Sequence, residues 1–459
     1  MKSRKLTLLL PMLAIILLVW IFAAASMNND ETAELIAHQT LLVEKADVFC
    51  ADEIYSRAIP LYEEACTIAT DSTYDISYKL ADAYYKSGDI KSYYELLIFR
   101  CESTGYTAYE EEFVSLAEYY FNSSNYAGAM AILDKGIAAY DSDQLKKMKE
   151  EHTYDFHDAS GFYSEMTITS ADYIPVCLGD KWGYINNYGG QLGEFIYDTA
   201  TPYFYAFAYD GETMLSSTVY CAMVNYAGIN QIVDSDGNRY ALCKENITDI
   251  LGMQKSGYGL VKNGNGKYVF VNSEFKVISN EFEFVGQTSS DGMSVFTAGG
   301  KAGAIDSSFQ TVINAEYDAF AQNAYGESFN AGRGFGLKSG KYTLLDYTGS
   351  VIGTDSYDDA HGFYPNATLA AVCKNGKWGF IDTEGNVVID YQFENAKSFS
   401  NGLAAVCRNG KWGFINSDGK LAIDYIFDDA FAFNKYGTAQ VYTSEGYKLI
   451  SLNWFNNEV

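Results

Sequence analysis

The chain has 459 residues, with 59 acidic against 32 basic side chains, a formal charge of −27 and a pI near 4.4. Its length predicts two to four domains, and 48% hydrophobic residues supply real cores and exclude a disordered chain. Nucleic acid is excluded as a partner, because phosphate binding needs clustered Lys and Arg, and this chain is strongly acidic.

Lys2, Arg4 and Lys5 precede an uncharged run from Leu6 to Ser26. At about 1.5 Å per residue that run crosses the roughly 30 Å hydrocarbon core. Residues 1–28 therefore read as a membrane anchor. The basic residues hold the N-terminus in the cytoplasm, which gives a single-pass cell-membrane protein with an extracytoplasmic body. The alternative is a signal sequence cleaved near Ala23, Ala24 and Ala25, which would release the body as a secreted protein.

From residue 29 to 151 apolar residues recur at three- and four-residue spacing with almost no Gly or Pro, which predicts amphipathic helices. Ala46, Ala81 and Ala117 superpose at intervals of 35 and 36, each followed three residues later by an aromatic: Phe49, Tyr84 and Tyr120. Turns follow at Lys86-Ser87-Gly88-Asp89 and Asn122-Ser123-Ser124-Asn125. Second helices then carry Ala58 and Ala65 in one unit, and Ala129 and Leu133 in another. This small-aromatic-small spacing resembles the tetratricopeptide repeat. The resemblance implies an α-solenoid whose concave face takes another protein's peptide or helix. The plainer reading is a stalk between membrane and β domain. Residues 152–171 read as a linker.

Beyond it the period changes, and residues 172–459 predict an all-β domain. Lys377-Trp378-Gly379 and Lys411-Trp412-Gly413 recur 34 residues apart, with a further copy at Lys181-Trp182-Gly183. Weaker copies begin at Lys267, Lys301 and Lys341, a decayed one runs through Gln231 to Asp234, and a terminal one begins at Gly446, making about eight units. Asn375-Gly376 and Asn409-Gly410 predict type I′ hairpins, since both turn residues need positive φ. That register sets Cys373 opposite Trp378, Val372 opposite Gly379 and Ala371 opposite Phe380. The bare Gly379 is expected to admit a neighbouring unit. Val387 with Ile389, and Leu421 with Ile423, begin a third strand. Phe393-Glu394-Asn395-Ala396 with Phe399, and Phe427-Asp428-Asp429-Ala430 with Phe433, read as connections whose aromatics plug the seams between units. An inserted loop is expected around Thr199 to Ser217.

These motifs resemble the WG-repeat (KWG) family of bacterial tandem β repeats. The resemblance implies a repetitive β domain with a binding role, and it supplies no active-site residues. The fold class is thus multidomain, all-α plus all-β: a tetratricopeptide-like solenoid followed by a WG-repeat domain closed as a β-propeller, or alternatively an open stacked array of β-meanders.

Asp234-Ser235-Asp236-Gly237-Asn238 looks like a calcium loop, but its Gly stands at the fourth position where an EF-hand needs it at the sixth, so it reads as a turn. The four histidines, His38, His152, His157 and His361, have no metal spacing, and no nucleophile elbow or phosphate loop is present. No catalytic, cofactor-binding or metal residue is therefore singled out, and no cofactor and no enzyme activity are expected. Cys177, Cys373 and Cys407 each precede a Lys-Trp-Gly triplet by four residues, so they read as one core position; Cys50, Cys66 and Cys101 read as packed in helices, and the pairing of Cys221 and Cys243 stays open. The expected function is a membrane-anchored extracytoplasmic scaffold presenting two repeat arrays to protein partners. The alternative is carbohydrate or cell-wall polysaccharide binding by the β domain.

Overall fold

The computed structural model describes residues 29–70, 72–102, 108–169, 171–209, 214–241, 247–253, 258–272 and 276–455. The expected anchor, Leu6 to Ser26, lies outside the described residues. Among the described residues no helix is long and apolar enough to cross a membrane. The chain divides into two compact units, Met1–Thr153 and Tyr154–Val459.

The first unit carries seven helices among the described residues: α1 (Asn29–Ala51), α2 (Tyr55–Cys66), α3 (Thr73–Ser87), α4 (Ile90–Glu102), α5 (Glu110–Asn122), α6 (Tyr126–Tyr140) and α7 (Asp143–His152). Local chemistry sets their ends. Gly88 takes φ +80 after α3 and caps it in the left-handed conformation, Asn125 accepts the Gly128 N–H at the start of α6, and Ser142 accepts the Leu145 N–H at the start of α7. The superposed alanines Ala46, Ala81 and Ala117 are all buried, as are Ala58, Ala65 and Ala129. Small side chains at these points let helix axes approach.

The centre of this unit is polar, which the sequence reading did not anticipate. Arg100 of α4 is fully buried and forms a bidentate pair with Glu112 of α5, at 2.5 Å from Nε to Oε1 and 2.8 Å from Nη2 to Oε2. Its Nη1 donates to Ser77 Oγ at 2.5 Å and to the Tyr74 carbonyl, and its guanidinium lies 4.0 Å from the Tyr74 ring centroid. Every guanidinium face and edge engaged here ties α3, α4 and α5 together.

The second unit is eight small antiparallel sheets among the described residues. The sheet of Asp359–Ala360, Ala370–Lys374, Lys377–Ile381 and Val387–Phe393 shows the plan. Asn375 and Gly376 adopt φ of 55 and 73, and the hairpin pairs Cys373 with Trp378, Val372 with Gly379 and Ala371 with Phe380, the expected register. The sheet Asn395–Ala396, Leu403–Arg408, Lys411–Asn416 and Leu421–Phe427 repeats it residue for residue. The connections do more than cross: Asn395–Ala396 pairs with Cys407 and Val406, so each supplies the first strand of the next sheet.

One expectation about Gly379 is corrected. A Cβ there would lie 2.7 Å from the Ile389 carbonyl oxygen and 3.0 Å from Asp390 C, in the third strand of its own repeat rather than in a neighbouring unit. That strand is bulged: Trp378 pairs with Phe393 while Phe380 pairs with Ile389. The extra residues push the backbone onto the strand beside them, and only Gly leaves room. Gly303 and Gly413 meet the same bulge through Ile313 and Ile423.

The seams are filled as the aromatics suggest. Phe399 packs 4.8 Å from Phe380, and Phe433 packs 4.8 Å from Phe414, each inside a core drawn from two consecutive sheets. The insertion expected as a loop is instead a hairpin of Phe204–Tyr209 and Met214–Tyr226. The segment read as a linker also carries strands. Phe156–Asp158 pairs with Gly446–Leu452 in the last sheet, and Glu165–Met166 starts the first sheet, where Met166, Ile174 and Val176 pack with Leu449 of the last.

Candidate functional site

Polar and aromatic side chains cluster in three places, the first of them the repeat motif. Trp378 and Trp412 are buried, and each ring is covered by the residue after the connecting Ala: His361 stacks 5.0 Å from Trp378, and Lys397 Nζ lies 4.6 Å from the Trp412 ring centroid. Lys397 also donates to Asp429 Oδ1 and the Ala430 carbonyl, both at 2.7 Å, and its burial pushes the amine below its ordinary range. Buried in the cores of their repeats, these two tryptophans offer no stacking platform to a ligand.

Four of the repeat lysines have a structural partner that the sequence reading missed. Lys181 reaches Asp198, Lys301 reaches Asp318 and Lys411 reaches Asp428, each at 2.5 Å and 17 residues on, and Lys341 pairs with Asp358. The second carboxylate oxygen of Asp358 accepts the Asn375 N–H at 2.6 Å, in the hairpin turn of the next sheet. The lysine bond, aided by turn N–H groups, holds the Asp198, Asp318 and Asp358 carboxyls below their usual range. Solvent screens such exposed pairs, so their role is registration of one sheet on the next and not stability. The signal was legible as a Lys and an Asp at constant separation.

At the opposite end of the sheets the loops of the first and last sheets meet. Tyr436 Oη donates to Asp172 Oδ1 at 2.6 Å, Asn434 Nδ2 donates to Asn187 Oδ1 at 2.9 Å, and the rings of Tyr188 and Tyr436 meet edge to face at 5.6 Å. Tyr188 is 66% exposed, and Lys435 Nζ stands 4.0 Å from Asp172 Oδ1.

On the helical unit five tyrosines form a continuous ridge over three helices. Tyr85 of α3 meets Tyr93 of α4 at 5.1 Å, Tyr93 meets Tyr94 at 4.9 Å, Tyr94 stacks on Tyr119 of α5 at 3.8 Å, and Tyr119 meets Tyr120 at 5.9 Å. Tyr85 and Tyr119 are exposed.

The residues weighed as chemistry from sequence behave as structure. Asp234 Oδ1 accepts the N–H groups of Asp236 and Asn238 at 3.0 and 2.8 Å, and its Oδ2 accepts from Asn238 Nδ2 at 2.9 Å, so this carboxylate serves its own turn. Asp346, Asp382 and Asn416 organise equivalent turns. His152 stacks on Phe121 at 3.9 Å, His157 Nδ1 lies 2.6 Å from Asn453 Oδ1, and His38 lies 3.8 Å from Glu64. Among the described residues no cluster of His, Cys, Asp or Glu could hold a metal ion. Cys66, Cys101, Cys177, Cys373 and Cys407 are buried thiols, Cys221 is buried, and Cys243 lies outside the described residues.

Comparison with known proteins bears on the C-terminal repeats. The family model of the WG containing repeat matches residues 356–378, 378–412 and 412–446. No curated relative matches the sequence. Solved structures with a distant likeness include Hsv2 of Kluyveromyces lactis, at 9% identity over 63% of this chain and 97% of that one with a TM-score of 0.33. A chain of the mitotic checkpoint complex matches at 11% identity over 51% of this chain and 88% of that one, with a TM-score of 0.31.

Proposed function

We propose that this protein is a non-enzymatic scaffold, anchored in the cell membrane through residues 6–26, whose extracytoplasmic body presents a tetratricopeptide-like solenoid and a β-propeller of WG-type repeats. The radial arrangement is supported by the packing of Leu449, from the last sheet, against Ile174 and Val176 of the first. It is supported again by Tyr364 and Ala432, whose contact skips the sheet between theirs, as loops converging on an axis would.

The observation that carries the binding role is the tyrosine ridge on α3, α4 and α5. A soluble helical stalk has no need of contiguous aromatic rings at its surface, whereas protein interfaces are enriched in Tyr, which supplies large contact area at little entropic cost. The experiment is capture of cell-envelope proteins by the full chain in detergent, compared with a Tyr94→Ser, Tyr119→Ser double variant. Loss of a specific partner in the variant, with unchanged helical content, is the expected result. Identical capture by both proteins would remove the ridge as the docking surface and leave the helices as a stalk.

A further inference from the structure

The repeats serve as controls for one another, and by that measure the seam between the last and first sheets is anomalous. Ala371 faces Phe380 and Ala405 faces Phe414 across their hairpins; at the same place Gln440 faces Leu449. Leu403, two residues before Ala405, corresponds to Thr438. Phe399 and Phe433, which plug two of the other seams, correspond to Thr169, counted from the paired strands Asn395–Ala396, Asp429–Ala430 and Glu165–Met166. Thr438 and Gln440 are 1% and 6% exposed, yet among the described residues Thr438 Oγ1 and Gln440 Oε1 have no hydrogen-bond partner. Gln440 Nε2 donates to the Thr167 carbonyl at 2.9 Å, so the side chain is held with its acceptor unsatisfied. Leaving a buried oxygen unpaired is costly, and the sibling seams show that Ala and Leu fit the position.

These orphaned oxygens belong to the seam whose loop end carries Tyr188, Tyr436, Asp172, Asn187 and Asn434. We propose that this loop end binds a neutral pyranose chain. A sugar ring offers a C–H face to an exposed aromatic, here Tyr188, and hydroxyls that can donate to a carboxylate, here Asp172, whose loop is held in place by the hydrogen bond from the Asn434 amide to Asn187. Charge selects neutrality. Lys435 stands beside Asp172, so the patch itself is balanced, while the −27 of the whole chain repels polyanions. The tyrosine ridge on the helices plays no part in this site.

The test uses the full chain in detergent micelles, titrated calorimetrically with cellohexaose and with chitohexaose. Saturable binding of at least one is expected. Tyr188→Ala and Asp172→Asn should each weaken it by about tenfold or more, and Tyr119→Ser should leave it unchanged. Binding of neither oligosaccharide, or binding that survives Tyr188→Ala combined with Asp172→Asn, overturns the proposal. So does loss of a captured envelope protein on Tyr188→Ala without saccharide binding, which would assign the patch to a protein partner. None of these outcomes touches the ridge reading, which is tested at Tyr94 and Tyr119.

Discussion

Phe156 stands opposite Leu452 in an antiparallel ladder, so a strand that directly follows the helical unit completes the sheet built by the chain's last hairpin. Asp158 adds an ion pair to Lys448 at 2.7 Å, and the Asn453 N–H donates to the Asp155 carbonyl at 2.7 Å. The beginning and end of the β unit are therefore paired, through residues well before the first Lys-Trp-Gly triplet.

A fragment of residues 172–459 is accordingly expected to be far less stable than one of residues 154–459. It loses Tyr163 and Met166 from the seam core and bares the edge of the final strand. Two buried side chains of that size are worth roughly 4 kcal/mol or more. Thermal melts followed by circular dichroism of the two fragments would decide it, and coincident transitions would show the closing strands to be dispensable.

The Arg100 and Glu112 pair makes a second prediction. Glu112→Gln leaves a fully buried guanidinium short of its counter-charge, and a cost of about 3 to 5 kcal/mol is expected in denaturant unfolding of the helical unit. Replacing both residues by Leu should cost less than either single change, because desolvation of the two charges is then avoided. A double variant worse than both singles would mean that the pair stabilises outright.

The Trp-Gly step should be sensitive at both residues for different reasons. Trp412→Ala empties a core position and should cost about 3 to 5 kcal/mol. Gly413→Ala drives a Cβ to 2.5 Å from the Ile423 oxygen and should cost about 3 kcal/mol by overpacking. Gly410→Ala, at a turn position with φ +71 and open space around it, should cost only about 1 to 2 kcal/mol. Chemical denaturation of the three variants checks the order, and equal losses at Gly410 and Gly413 would rule out the bulge contact as the cause.

Alkaline pH should unfold the helical unit first through its thiols. Burial raises Cys66 and Cys101 from an ordinary 9.0 to about 12. With the folded-state value raised, the unfolded chain loses these protons sooner. The stabilisation is thus complete below about pH 9 and drains away as pH climbs toward 12. Urea midpoints measured across that range should fall, and a Cys66→Ala, Cys101→Ala variant should show a flatter decline.

Much of the β unit was legible because its information is local. A two-residue Asn-Gly turn dictates which residues face each other, so the Cys373 and Trp378 pairing followed from spacing alone. Where contacts depended on a bulge, spacing misled: Gly379 was matched to a neighbouring unit because nothing in a linear motif reveals that the strand from Val387 to Phe393 presses on it. The candidate saccharide patch was invisible for a related reason, since Tyr436 is 264 residues from Asp172 and shares no motif with Asp172 or Tyr188.

By itself, then, the sequence determined an N-terminal helical region, a C-terminal Trp-Gly repeat and the hairpin register, all properties set by short-range sterics and periodicity. Only the tertiary structure decided which residues pair the two ends of the β unit, that Arg100 is buried against Glu112, that Trp378 and Trp412 are covered, and that two buried polar side chains, Thr438 and Gln440, stand where the first and last sheets meet. Each of those depends on which distant surfaces are brought together and desolvated, and no interval of sequence carries that information.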